Sequence, residues 1–338
     1  MDEIFVSKYR ELYKSRTSKE SQAERRHRML EEQRQQRSKA VDEHRGIMAY
    51  IQKHPRKTEG RSRDTVPVFD RFYANKVQLS EWLRERPEDL DNWYVVPCPK
   101  GKRCLVVAND RTIMYSKAGK ILSTFRSSLE GGKYVTVLDC IYAGRKREFH
   151  VLDCLVYRNQ EFIHCETAFR FFWLTSKFLE YDYSVVHRDN HYPFHYIPRF
   201  DCADEASLAS AFGTHPHWPE DSPTLDGFLF YHKEASYTYG TTPLVGWLFS
   251  YMIPEVLGIS ALHADYLKPP DDYTNALEFM EAFDRKQRAK NQRGRRSSKM
   301  EVEEDKEDDD SAVLEEQRLL ETGELDMDHE SLEDQETK

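Results

Sequence analysis

Between Val66 and Tyr266 the chain is cut into short runs rich in aromatic and β-branched residues, and this patterning most restricts its fold. Trp93–Pro97, Cys104–Ala108, Ile113–Tyr115, Tyr134–Tyr142, Glu148–Val156 and Gly227–Tyr231 read as strands, because such residues fit a pleated, half-buried surface. The turn signals PKGK, NDR, KAGK, LEGGK, AGRK and YRNQ separate them. The run 134–142 is joined to 148–156 by AGRKR, which predicts a hairpin and hence antiparallel pairing. Residues 79–86, 168–178, 204–212 and 272–290 read as helices. The expected fold class is therefore α+β, with mostly antiparallel sheets and flanking helices.

Charge divides the rest of the chain. Asp, Glu, Lys and Arg make up 32% of the 338 residues, too polar for one compact domain. The net charge of −9 averages over opposed segments. Residues 1–62 carry +6, 285–299 carry +8 and 301–338 carry −15. Blocks of like charge at chain ends are solvated interaction segments, and the acidic tail cannot bury enough apolar surface to fold. The domain plan that follows is a basic helical arm at 1–50, a linker at 51–65, a folded domain at 66–284, and a basic patch with an acidic tail at 285–338.

The arm has its own signature. Residues 21–45 contain neither Gly nor Pro, and Ser21 followed by Glu24 forms a capping-box pattern at a helix start. Met29, Leu30 and Val41 are too few for a core-facing stripe, so the helix is expected not to pack on its own domain. It reads as a spacer or as a ligand for a partner. Arg25, Arg26, Arg28, Arg34, Arg37, Lys39 and Arg45 spread around it, and guanidinium forks suit an acidic, enclosing receptor. A basic helix also suits RNA phosphates.

Other signals exclude more than they assign. The cysteines, Cys98, Cys104, Cys140, Cys154, Cys165 and Cys202, form no CxxC pair, so reduced buried thiols are expected. No run of 18 apolar residues suggests a membrane span. His187, His191 and His195 recur every four residues, but Tyr192-Pro193-Phe194 breaks a helix there, and they read as unliganded. His215 and His217 flank Pro216 in a turn. No metal or cofactor is expected. The segment 285–299 reads as a solvated helix end, an RNA contact or a second import signal.

LYKSR and ERRHRMLEEQR (12–34), ANKVQLSEWL (74–83), VVPCPKGKRCLVVA (95–108), RSSLEGG, LDCIY, DGFLFYHK and TTPLVGWL together resemble the snurportins, in order and spacing. The resemblance implies an import adaptor for spliceosomal small nuclear RNA, present in cytoplasm and nucleus. Its arm would engage importin-β, and its body would bind the 2,2,7-trimethylguanosine cap. By the same resemblance Trp247 stacks on the methylated base. Trp82 closes the pocket, and Ser80 offers a polar contact. Gly101, Lys102, Arg103 and Lys117 lie at the phosphates, and Cys104 offers a backbone contact. Flat aromatic faces and cations are what a positively charged purine on a triphosphate requires. An exportin partner is implied by the family, but Met1–Val6 lacks the longer leucine-rich start of better-known members, leaving only Ile4 and Phe5.

The body resembles more distantly the nucleotidyltransferase domain of mRNA capping enzymes. Their K-x-D-G-x-R nucleophile motif aligns with Cys98-Pro99-Lys100-Gly101-Lys102-Arg103, so the lysine is replaced by Cys98 and the aspartate by Lys100. A thiol cannot form the lysyl phosphoramidate on which that chemistry depends. Guanylyl transfer is therefore the disfavoured alternative. A cap-independent, protein-binding import adaptor is the other.

Overall fold

A computed structural model describes residues 21–39, 70–129, 134–271 and 273–285. The linker 51–65, Ile4, Phe5, Arg45 and the patch and tail beyond 285 lie outside these residues. The side chains of Arg37 and Lys39 do so too. The chain divides into two units, 1–276 and 277–338; of the second, 277–285 are described and helical.

The first unit is α+β, as the run pattern predicts. One sheet has five strands in the order β1-β12-β11-β2-β10. They are β1 (Gln78–Trp82), β2 (Trp93–Pro99), β10 (Phe200–Asp201), β11 (Leu225–His232) and β12 (Gly240–Leu248). The second runs β5-β4-β3-β6-β7-β8, with β9 added parallel to β7. Its strands are β3 (Lys102–Ala108), β4 (Thr112–Ser116), β5 (Ile121–Phe125), β6 (Thr136–Ala143), β7 (Glu148–Tyr157), β8 (Gln160–Glu161) and β9 (Phe194–Tyr196). The expected hairpin is β6–β7, closing at Ala143 opposite Glu148.

The second sheet is buried on both faces, which explains strands that read as nearly continuous apolar runs. Along β3, Cys104, Val106 and Ala108 enter one cluster with Phe149, Leu174 and Phe194. Leu105 and Val107 alternate into another with Tyr115, Val137 and Tyr237. A third cluster draws Val96, Cys98, Leu229 and Val245 from the five-stranded sheet and Ile141 and Leu152 from the other. Trp247 packs against this shared core.

Besides the helical residues 277–285, the α-helices are α1 (Gln22–Lys39), α2 (Thr167–Glu180), α3 (Glu205–Gly213) and α4 (Ile253–Leu257). The expected helices at 168–178 and 204–212 are α2 and α3; Asp204 caps α3 by accepting from the amides of Ala206 and Ser207. The expectation of a helix at 79–86 is corrected. Leu79, Trp82 and Leu83 have helical spacing, but parallel pairing with β12 makes 78–82 a strand. All six cysteines are free, and all but half-buried Cys165 are buried. Among the described residues, no helix is long and apolar enough to cross a membrane.

The arm helix corrects a second expectation. Ser21 and Glu24 do form the reciprocal capping box: Ser21 N–H donates to Glu24 Oε2 at 2.7 Å, and Glu24 N–H to Ser21 Oγ at 3.2 Å. But α1 packs on its own domain. Arg25 forks onto Glu81 at 2.8 and 2.7 Å. Gln22 Nε2 donates to Trp82 O at 3.0 Å. Arg26 is buried, its guanidinium 5.5 Å from the Trp93 ring centre. Gln33 Oε1 accepts from Ser236 N–H at 2.8 Å, and Arg34 pairs with Glu234. The contact is polar, so the scarcity of apolar residues did not forbid it.

Candidate cap-binding site

The site grows from three neighbouring strands and one turn. In the register of β2 and β11, Cys98 lies opposite Gly227. The Trp247 indole of β12 lies over that glycine: a Cβ on Gly227 would come within 2.6 Å of Trp247 Cζ2 and of Leu248 O. Only a residue without a side chain leaves room for the ring. Trp247 is half-buried, and Phe249 meets it edge-on at 6.0 Å. The result is a fixed aromatic surface at the edge of the shared core.

β1 borders this surface. Trp82 is the register partner of Trp247, and Leu83 N–H donates to Trp247 O at 3.1 Å. Trp82 also touches Phe249, at 5.7 Å between ring centres. Ser80 pairs with Thr242 immediately before a bulge in the ladder. Of the other tryptophans, Trp93 and Trp218 are buried and Trp173 packs half-buried on the core.

The PKGK turn follows Cys98, and Lys100 N–H donates to Thr224 O at 2.8 Å at the start of β11. Gly101 is needed there, because a Cβ would stand 2.6 Å from Tyr142 O and from Ile141 Cγ2. Lys102 follows it, exposed at the start of β3. Arg103 departs from the expectation that it flanks phosphates. Its guanidinium turns inward, with Nε 2.6 Å and Nη2 2.7 Å from the buried Asp139 carboxylate, and Nη2 also donates to Gln78 O at 3.1 Å. Burial works against its charge, but Asp139 more than offsets this and raises its pKa. Tyr237 completes the network, donating to Asp139 Oδ2 at 2.6 Å and accepting from Gln78 N–H at 2.8 Å. Arg103 thus fixes β1, the strand that carries Ser80 and Trp82. Cys104 is wholly buried.

Lys117 follows β4 and is half-buried; its carbonyl accepts from Asn75 N–H at 2.8 Å. Its charge, with those of Arg103, Asp226 and Asp139, is felt at Cys98. Cys98 and Trp247 share the core between the two sheets. Burial pushes the Cys98 thiol far up, Asp226 adding to it, so the group at the aligned nucleophile position is a neutral thiol. An open cavity of about 450 Å³ elsewhere, lined by residues such as Arg86, Cys202 and Ile259, includes none of these groups.

Sequence reasoning passed over Asp139 and Glu81 and quoted Gly227 within DGFLFYHK, without its place under Trp247. A glycine inside an apolar strand was the available signal for Gly227. Glu81 gave none, because its partner Arg25 lies 56 residues away in the sequence.

Comparison with known proteins places the chain. Residues 76–250 match the model of the Snurportin1 m3G cap-binding domain, and residues 11–46 that of Snurportin1. Among solved structures, the ligase domain of LigD from M. tuberculosis is 12% identical, with a TM-score of 0.34 over 51% of this chain and 58% of its own. A Lig E DNA ligase is 13% identical, with a TM-score of 0.32 over 51% of this chain and 67% of its own. The ligase Pmar-Lig_PreS3 is 11% identical, with a TM-score of 0.36 over 60% and 50%. The chain spans little more than half of the LigD ligase domain. The cap-binding model alone covers more than half of the 338 residues, and the chain belongs to the snurportin family.

Proposed function

We propose that the chain is a nuclear import adaptor that binds the trimethylguanosine cap of spliceosomal small nuclear RNA at Trp247 and recruits importin-β through its arm. The observation that carries this reading is the Trp247 indole held over Gly227 beside a buried, neutral Cys98. A methylated guanine is cationic and flat, and an indole face is the best side-chain partner for it. Trp82 borders the ring, Ser80 supplies a hydroxyl, Gly101 lets the turn approach, and Lys102 and Lys117 supply charge for the phosphates. Arg103 acts from beneath as a positioning residue.

The protein performs no guanylyl transfer in this reading. That reaction needs a nucleophile that can lose its proton and form a phosphoramidate, and Cys98 can do neither. Importin-β takes the α1 face that Glu81 and Glu234 hold in the free chain, so loading the receptor displaces these contacts. Shuttling between cytoplasm and nucleus, and an export receptor for the return, follow from the adaptor role.

The test is titration with a trimethylguanosine cap dinucleotide, read by quenching of tryptophan fluorescence, with a monomethyl cap as competitor. Saturable quenching that Trp247→Ala abolishes is the expected result. No quenching with either cap would leave a cap-independent adaptor as the function.

A further inference from the structure

Behind the strand that carries Gly227, two loops place three metal-type side chains together. His215 lies in the loop before β11. His263 and Asp265 lie in the segment after α4, at the start of the short 3-10 helix Ala264–Leu267. The His215 and His263 rings stack, with centres 4.7 Å apart and planes 22° apart. Asp265 Oδ2 is 3.5 Å from His215 Nε2 and 3.4 Å from His263 Nδ1. All three donor atoms lie within 4.8 Å of one another.

The local bonding leaves Asp265 Oδ2 turned to both rings. Lys268 takes Asp265 Oδ1 at 2.5 Å, leaving Oδ2 toward the rings. His263 Nδ1 accepts the Asp265 N–H at 3.3 Å, a long bond that a bound ion would displace. His215 is no better satisfied: its Nδ1 is buried without a hydrogen-bond partner, and its Nε2 is at the limit of hydrogen-bond length from Oδ2. The frame is nonetheless pinned. Tyr266 Oη donates to Thr214 O at 2.7 Å, and His263 N–H to Phe212 O at 2.9 Å.

We propose that His215, His263 and Asp265 bind one divalent transition-metal ion of the zinc type. In a tetrahedral zinc site with bonds of about 2.0–2.1 Å, neighbouring donors stand about 3.3 Å apart, close to both distances to Oδ2. Two imidazoles and one carboxylate suit zinc and its neighbours, whereas calcium and magnesium take all-oxygen sets. The side chains are 26%, 38% and 41% exposed, so an ion can enter and water can fill the fourth place. The bound ion would clamp the 214–217 loop to the 263–267 segment. Between them Tyr266 meets Phe228, the neighbour of the glycine under Trp247. Spacing in the sequence could not find this site, since nearly fifty residues separate His215 from the His263–Asp265 pair.

The experiment uses the full chain stripped with chelator and titrated with Co²⁺, then with Zn²⁺ in competition. The expected result is one equivalent bound, visible d–d bands without a thiolate charge-transfer band, and a zinc-induced rise in Tm. Binding should weaken at least tenfold in His215→Ala and in Asp265→Asn. The second variant keeps shape and guards against a folding defect, which thermal unfolding without metal would reveal. No stoichiometric binding, thiolate ligation, or equal affinity in folded Asp265→Asn would overturn the proposal.

Discussion

Lys102 and Arg103 are adjacent in sequence and opposite in role, and the difference lies in what each side chain leaves behind when removed. Arg103 neutralises Asp139, whose side chain is fully buried. Without it, an uncompensated carboxylate remains in the core, which costs about 3–5 kcal/mol. Arg103→Ala should therefore lower Tm markedly and loosen β1. Lys102 is exposed at the strand's first position, so Lys102→Ala should leave the stability within about 0.5 kcal/mol of the parent while weakening cap binding. A loss of one phosphate contact of about 1 kcal/mol is roughly a fivefold drop in affinity. Paired thermal unfolding and cap titration separate the two. If Arg103→Ala left Tm unchanged while Lys102→Ala lowered it, the inward and outward assignments would be reversed. The sequence marks this pair as basic; only the position of Asp139 across the β3–β6 ladder, opposite Leu105, decides which one turns in.

At the scale of elements, the docked arm is the feature with the clearest consequence. Gln22, Arg25, Arg26 and Gln33 fall on one helical face and meet the β1 edge, Trp93 of β2 and the 236–238 segment through hydrogen bonds and charge. The partly exposed Arg25–Glu81 pair contributes about 1 kcal/mol. Glu81→Gln should thus raise amide exchange across 22–39 several-fold, and less so at high salt, where the parent's pairing is screened. Unchanged exchange would mean that burial of Arg26, rather than the ion pair, holds the helix. The start of α1 was legible from its capping box, and β6–β7 from its turn, because both signals are local. Its docking was not, because polar contacts leave no periodic apolar trace. β12 escaped delineation for another reason. Pro243 argues against a strand interior, yet β1 passes from Thr242 directly to Gly246 in register, so the proline sits where that ladder makes no demand on it. The helix expected at 79–86 failed because the partner of β1 lies some 160 residues away, beyond any local pattern.

For the whole molecule, sandwiching one sheet between two buried faces leaves titratable groups in the core, and these tie stability to pH. His150 on β7 is almost fully buried, edge-on to Trp218 at 5.6 Å and bonded to Glu148 at 3.0 Å. Burial lowers its pKa from 6.5 to about 4, only partly offset by Glu148; nearby His195 and Lys146 lower it further. The native state therefore holds this ring neutral where the unfolded chain protonates it. Its unfavourable contribution is absent above about pH 6.5, grows as pH falls, and saturates below about pH 4. Asp89 works in a lower window. The hydrogen bond from His232 is the largest cause of its lowered value of about 2, so the stability it confers is present above about pH 4 and is lost as pH falls toward 2. Between pH 7 and 5 His150 should remove about 2 kcal/mol, and His217, whose pKa burial also lowers from 6.5 to about 4, adds to the loss in the same window. Urea unfolding at both pH values measures this. His150→Asn should lower stability at pH 7, since it disturbs the core, yet flatten the loss between pH 7 and 5 by about that amount. An unchanged pH slope in a folded His150→Asn protein would show that the ring is already protonated in the native state, and that its bond to Glu148 is an ion pair.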